Sequence, residues 1–298
     1  SDADGIHHFW TFQDARGIRE HAEDADQGII VGAGLLGIDL AAVCAAQGID
    51  AKYLMRGDRW WRYALSGDGA EIIHDALREN GVEPVFDSGV DHFEVDDDGH
   101  VAGAVDPNGD QFDGEWAGIA IGLNFNTEFL DGVGLEMDDG IVVDEYMQTT
   151  VDDIYAAGDI TRYYDTILSA RAQNGAWGSA KEQGSVAGTN MVADDEDREF
   201  RWVSSYSITH FDFPFLSFGH PTRGDDEAEA KYSDSEWRRL AFEDGQLVGG
   251  VLIGDLSQQS KYKKLIREER QVADQKELLL EKDVDLEEVK AQTAAPAE

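Results

Sequence analysis

The sequence predicts an α/β fold: a doubly wound parallel sheet, then a smaller α+β region. Three observations predict it. A short apolar run, Gly28-Ile29-Ile30-Val31, leads straight into the glycine-spaced segment Gly32-Ala33-Gly34-Leu35-Leu36-Gly37. An alanine-rich helical stretch and a second apolar run follow within twenty-odd residues. The same alternation of strand and helix patterning then repeats once more before short β segments take over.

Each element has its own signal. Gly28 to Val31 is a buried strand, and Leu35 to Gln47 a helix ended by Gly48. Ala51 to Met55 is the second strand, Ala70 to Glu79 a second helix closed by Asn80-Gly81, and Val82 to Phe86 the third strand. Parallel strands need such helical crossovers. Asp91 to Val95 and His100 to Val105 flank Asp96-Asp97-Asp98-Gly99, a hairpin turn; Pro107-Asn108-Gly109 is another. Ala117 to Ile121, Ile141 to Val143 and Ile154 to Ala157 read as further strands, and Gly175 to Val192 as a helix. After the charged break at Asp194-Asp195-Glu196-Asp197, Trp202 to His210, Trp237 to Glu243 and Gln246 to Ile253 read as strands, with Asp244-Gly245 turning the last two. Ser260 to Glu269 is a helix, and Thr293 to Glu298 is expected to be disordered.

The chain has 298 residues, enough for two domains of ordinary size, and its 42% hydrophobic content suits a globular protein. Acids outnumber bases 62 to 24, giving a net charge of -38 spread along the whole length. Screening at high salt cancels such self-repulsion, so the surface reads as that of a salt-adapted, cytoplasmic protein. The sign argues against nucleic acid and anionic lipid as partners. No apolar run is long enough to span a bilayer. The single cysteine, Cys44, lies among alanines mid-helix and reads as a buried, inert thiol. No His, Cys or Asp spacing suggests a metal, and there is no Ser-His-Asp signature.

The glycine segment carries the chemistry. G-x-G-x-x-G between a strand and a helix is a dinucleotide fingerprint. Gly32 permits the sharp turn, Gly34 lets backbone approach a pyrophosphate, and Gly37 lets helix pack on strand. Free amides and the positive helix end then hold the phosphates. Ala33, Leu35 and Leu36 complete the loop. An acid about twenty residues on normally binds the ribose hydroxyls of NAD. Here Met55 stands there, with Arg56, Arg59 and Arg62 after it. That favours NADP over NAD, unless the arginines merely pair with the abundant surface acids.

Three further segments carry a family resemblance. They are Ile119-Ala120-Ile121-Gly122-Leu123-Asn124-Phe125-Asn126-Thr127, Gly140 to Asp144 with Asp152-Asp153-Ile154-Tyr155-Ala156-Ala157-Gly158-Asp159, and Leu247-Val248-Gly249-Gly250-Val251-Leu252-Ile253-Gly254-Asp255. With the glycine loop they resemble the FAD-dependent pyridine nucleotide-disulfide oxidoreductases of the rubredoxin reductase and assimilatory nitrite reductase type. The family usually has proline where Phe125 stands. The resemblance implies a Rossmann-like NAD(P) domain inserted in an FAD domain, followed by a small α+β C-terminal domain. It divides the chain into 1–121, the NAD(P) part with its lead-in; 122–195, the C-terminal part of the FAD domain; 196–272, the α+β domain; and a charged tail, 273–298.

The same resemblance implies the cofactor roles. Gly122 sits at the crossing between the nucleotide domains, and Gly158 and Asp159 meet the flavin, Asp159 accepting from a ribityl hydroxyl. Ala176 and Trp177 open a helix whose positive end faces the flavin pyrimidine, although Trp177 reads equally well as core. Asp39 falls where relatives carry a glutamate near the nicotinamide, and Leu35 lies against that pocket. His210 and His220 flank an aromatic stretch that packs the third domain or approaches flavin or acceptor; packing is favoured. The first FAD loop of the family is not in this sequence; the resemblance implies about a hundred further residues carrying it, upstream on the same protein or on another chain. Without it, the chain is expected to hold FAD weakly or not at all.

The implied activity is hydride transfer from NAD(P)H to FAD, with electrons passed to a rubredoxin- or ferredoxin-like protein, a nitrite reductase partner or a small oxidant. The alternative is a nucleotide-binding redox sensor or assembly subunit that does not turn over. A flavin-free dehydrogenase fits less well, since it has no need of the Asp159 segment. The third domain is expected to supply a homodimer surface or an acceptor dock.

Overall fold

Thr11 starts the first helix. Its hydroxyl accepts the amide of Asp14, and the Asp14 carboxylate accepts the amide of Thr11, a reciprocal cap. The computed structural model describes residues 3–192 and 198–292. The charged break at 194–197, the expected 195/196 boundary and the 293–298 terminus lie outside the described residues. The chain divides into two compact units. One holds residues up to 122 with 208–214 and 231–237, and the other holds the rest.

In the first unit β1 (Ile6–His8), α1 (Phe12–Ala22), β2 (Gln27–Val31), α2 (Leu35–Gln47), β3 (Asp50–Leu54), α3 (Gly67–Glu79) and β4 (Val82–Val85) follow in order. Helix α2 keeps the bounds expected of it, and Gly48 ends it in the left-handed conformation at φ 76°. Helix α3 begins at Gly67 rather than Ala70. Its early glycines hid that start. Gly69 is there for space, because a Cβ would come within 2.9 Å of the Trp237 ring.

β5 (His92–Val95), β6 (Val101–Val105) and β7 (Gln111–Asp113) form a separate antiparallel sheet. Asp96 and Asp106 shape its two turns, each accepting two backbone amides on one carboxylate oxygen. β8 (Trp116–Ile119) then returns to the main sheet, whose order is β1-β8-β2-β3-β4 with every pair parallel. The chain winds outward from β2 to β4, then crosses back to lay β8 on the other side of β2. The direction of winding thus reverses between β2 and β8, at the carboxyl ends of which such sheets bind ligands.

The second unit begins with β9 (Ile141–Val142), β10 (Thr161–Asp165), β11 (Ala170–Ala172) and α4 (Trp177–Asn190). The strand expected over Ile154 to Ala157 is not formed. Only a single bridge, Gln148 to Tyr155, is made there, with Ala156 donating to the Met147 carbonyl. The apolar residues instead pack a small core with Ile141, Val143 and Tyr163. Packing explains their hydrophobicity without a ladder.

A five-stranded sheet follows, with β12 (Ser205–Ile208), β13 (Phe215–Gly219), β14 (Asp226–Ser233), β15 (Glu236–Glu243) and β16 (Gln246–Ile253) in the order β12-β13-β16-β15-β14. α5 (Gln259–Arg267) covers it, with Tyr262 stacked on Phe218 at 5.5 Å between ring centroids. The segment expected as a charged tail continues this core. It forms α6 (Lys276–Leu279) and α7 (Leu286–Ala291), and Leu279, Val284 and Val289 are buried. Buried Arg238 anchors it by donating to the Tyr262 hydroxyl and the Glu281 carbonyl.

Candidate nucleotide-binding site

The three glycines of the loop do three different things. Gly32 has φ 113°, and a Cβ there would lie 2.1 Å from the carbonyl oxygen of Ala120. No other residue fits. A Cβ on Gly37 would lie 2.0 Å from the Gly32 carbonyl oxygen and 2.3 Å from the Tyr53 hydroxyl, so this glycine lets α2 settle on the sheet. Gly34 is the N-cap of α2, in extended backbone, and nothing lies within 4 Å of where its Cβ would be. Its emptiness faces outward. Gly34, as the N-cap, offers no side-chain cap to α2, whose start carries the positive end of the helix.

Two residues that sequence reasoning missed hold the loop in place. Buried Tyr53 on β3 donates its hydroxyl to the Gly32 carbonyl at 2.9 Å. Trp61 donates its amide to the Ala33 carbonyl at 3.2 Å, from a left-handed conformation at φ 44°. A tyrosine on the neighbouring strand is a readable signal. Trp61 gives none, because its contact depends on the path of a loop.

A cleft of about 1080 Å³ opens beside the loop, lined by Gly32, Ala33, Gly34, Arg56, Arg59, Arg62 and Gly122 among others. It lies where β2 and β8 end. The structure therefore brings Gly122 to the glycine loop. Arg59 lies in the wall but is engaged: its Nε donates to the Leu65 carbonyl at 2.9 Å and its Nη1 to Asp58 at 2.6 Å. Leu35, Leu36, Gly37 and Asp39 are not part of the wall. Asp39 instead lies 3.5 Å from the Nε2 of His210.

A second constellation lies in the other unit. Gly158 has φ 100° and donates its amide to the Oε1 of buried Gln183, which also accepts from the Thr161 hydroxyl. Gln183 was not anticipated; a buried glutamine one helix away leaves no local mark. Burial raises the Asp159 carboxyl above its ordinary range, and the side chain lies against Gly175, just before α4. The space around Gly158 is open, with nothing within 4 Å of a Cβ. Ala176 is the N-cap of α4. Trp177 is not core: it is 80% exposed, with the Lys181 ammonium 5.5 Å from its ring centroid. An open glycine, a half-buried carboxylate and a helix N-terminus fit a ligand that offers hydroxyls and a polar ring edge, as FAD does.

Other candidates resolve structurally. Burial pushes the Cys44 thiol up to about 12, so it stays protonated. His220 is tied to buried Asp165 at 2.9 Å. Phe211 and Phe213 stack on each other. Among the described residues no His, Cys, Asp or Glu group could hold a metal. No described helix is long and apolar enough to cross a membrane.

Residues 2–174 match the family model described as pyridine nucleotide-disulphide oxidoreductase. The chain belongs to that family. Residues 207–270 match a second model, the rubredoxin NAD+ reductase C-terminal domain. Among curated members of the oxidoreductase family, the rhodocoxin reductase of Rhodococcus erythropolis is 31% identical over 159 residues, covering 53% of this chain and 37% of the relative. The chain spans 37%, 43% and 45% of the length of three such relatives. Putidaredoxin reductase, solved in covalent complex with putidaredoxin, superposes with a TM-score of 0.87 at 21% identity, over 99% of this chain and 70% of that one. An engineered water-forming NADPH oxidase bound to NADPH, made from the enzyme of Lactobacillus brevis, has a TM-score of 0.79 at 21% identity, over 96% and 67%. The fold is that of flavoprotein reductases of this pyridine nucleotide-disulphide oxidoreductase family, with a small C-terminal domain.

Proposed function

We propose that the chain forms the nucleotide-binding part, and a share of the flavin-binding part, of an FAD-dependent NAD(P)H oxidoreductase. The observation that carries this is the glycine loop: a helix that starts at a glycine N-cap, and an open Gly34 on a large cleft at the switch point of a parallel sheet. NAD(P)H binds there through backbone amides. Gly158, Asp159 and the start of α4, with Ala176 and Trp177, are the residues that would hold FAD. When bound, FAD supplies the electron chemistry, and the protein supplies orientation and electrostatics. Asp159 would accept a hydrogen bond from a ribityl hydroxyl, and the α4 terminus would favour negative charge on the ring beside it. The chain divides near 121 and 195 into the nucleotide part, the flavin part and the α+β part, the last including residues 273–292.

NADP is favoured over NAD. The engineered NADPH oxidase carries five substitutions, among them aspartate to alanine and, at the next position, alanine to arginine. This chain has Met55 and then Arg56 directly after β3. The electron acceptor is a redox protein or small oxidant, in line with the rubredoxin- and putidaredoxin-linked enzymes among its relatives. The acidic surface suits a cytoplasm of high salt.

The test is anaerobic addition of NADPH or NADH to the chain joined to a first FAD loop of the family and loaded with FAD. Loss of the oxidised flavin's visible absorbance is the expected result. Nucleotide binding with flavin bound and unreduced would replace the enzyme with a sensor.

A further inference from the structure

Helix α3 begins with a serine that does not cap it. Ser66 is the N-cap, in extended backbone, and its side chain makes no cap hydrogen bond. An N-cap hydroxyl ordinarily accepts an amide of the first turn. The Ser66 Oγ is instead buried and has no hydrogen-bond partner among the described residues. The amides of Gly67, Asp68 and Gly69 have no carbonyl one turn back to take them, as at any helix start.

A second orphan donor lies against the same turn. Trp237 is 1% exposed and belongs to the first unit, as α3 does. Its Nε1 is buried and likewise has no partner among the described residues. A Cβ on Gly69 would fall 2.9 Å from three ring carbons of Trp237, and one of them, Cε2, is bonded to Nε1. The indole therefore lies on the first turn of α3, with its N–H beside the helix start. Buried polar groups are as a rule satisfied, so two orphans at one helix start point to a guest.

The chemistry of the donors narrows the guest. An indole nitrogen and backbone amides only donate, and a serine hydroxyl can donate as well. The guest must accept several hydrogen bonds and need give none back. A water brings two hydrogens of its own, and the Ser66 Oγ could take one of them. A monovalent anion accepts from every donor, and the positive end of α3 favours it further. A phosphate dianion calls for cationic forks. The nearby arginines are spent, Arg59 on the Leu65 carbonyl and Asp58, and Arg78 on Glu71 and Asp75. Asp68, the acid of the first turn, is exposed to solvent.

We propose that the start of α3 is a halide site, in which Trp237 Nε1, the Ser66 hydroxyl and the first-turn amides donate to one chloride ion. The ion joins the 231–237 segment to α3 and fixes the end of the cleft loop, where the Leu65 carbonyl accepts from Arg59 of the cleft wall. The acidic surface suits a salt-rich medium, in which even a weak halide site is filled and adds stability by mass action.

Thermal melting in sodium chloride and in sodium gluconate at equal ionic strength tests this, on the wild type, Trp237→Phe and Ser66→Ala. Chloride should raise the wild-type Tm along a saturating curve, and gluconate, too large for the turn, should not. Trp237→Phe keeps a ring and removes the N–H, so its half-saturating chloride concentration should rise roughly tenfold. Ser66→Ala should act in the same direction. Wild-type crystals soaked in bromide give a reading independent of any variant: an anomalous peak within hydrogen-bond distance of Trp237 Nε1. Equal Tm in the two salts, a chloride response unchanged in Trp237→Phe, or an ordered water without bromide at Nε1 overturns the assignment. The nucleotide reading of the cleft stands or falls separately.

Discussion

Two glycines with positive φ mark the two candidate sites, and they differ in what compels them. Gly32 is hemmed in by its own chain, with the Ala120 carbonyl 2.1 Å from a hypothetical Cβ. Gly158 has φ 100° but open space around it. The first glycine is fixed by internal packing and would be needed without any ligand. The second is asked for by its backbone conformation alone, and the space beside it is what a ligand would use. The nucleotide loop is therefore finished within this chain, whereas the Asp159 constellation is an open face.

Substitutions can break or sharpen that contrast. Gly32→Ala combines an unfavourable conformation with a backbone collision and should cost about 3 kcal/mol or more, enough to show as a large loss in urea midpoint. Gly158→Ala meets only the conformational cost, about 1–2 kcal/mol. Equal losses at the two positions would erase the distinction. Tyr53→Phe leaves the half-buried Gly32 carbonyl without its side-chain donor and should cost about 1 kcal/mol, with nucleotide affinity falling as the loop loosens.

Acid should act on the two units with opposite signs. Burial, helped by neighbouring His21 and opposed by Asp4 and Asp14, lowers His7 to about 4. Its folded value is below its unfolded one, so the stability tied to neutral His7 is present above about 6.5 and is lost as pH falls toward 4. Asp159 is raised instead, so its ionised form disfavours the fold and acid relieves it. His7→Gln should flatten the decline in stability between these values, and Asp159→Asn should leave stability at neutral pH equal or higher. Urea denaturation of the two variants at neutral and mildly acid pH reads both signs.

The difference between the units also explains what the sequence revealed. In the first, strand β2, the glycine loop and α2 are contiguous, and each residue's role is local. The bounds of α2 could be read directly because Gly34 and Gly48 punctuate it. Arg56 and Arg59 could be named, but not that Arg59 is tied to Leu65, since that depends on the loop's path. In the second, the signals are non-local. Strand β14 is largely polar and exposed, so it carries no apolar face to read. Strand β13 was hidden in an aromatic cluster beside Pro214. The last segment looked like a charged tail because acids and lysines surround its apolar residues, although Leu279, Val284 and Val289 are each buried. Trp177 stands at the start of a helix but points to solvent, which composition could not tell from core.

The central claim is that the Gly32–Gly37 loop binds a pyridine nucleotide through its open backbone. Gly34→Val tests it most directly. The position is extended, at φ −102°, and nothing in the chain lies within 4 Å of the added Cβ, so the fold should be unaffected. The valine would occupy the space where the pyrophosphate must approach. Titration of NADPH into the wild type and into Gly34→Val, with melting temperature measured on both, should show unchanged melting and binding lost by more than about a hundredfold. Equal affinity in two equally stable proteins would contradict the claim.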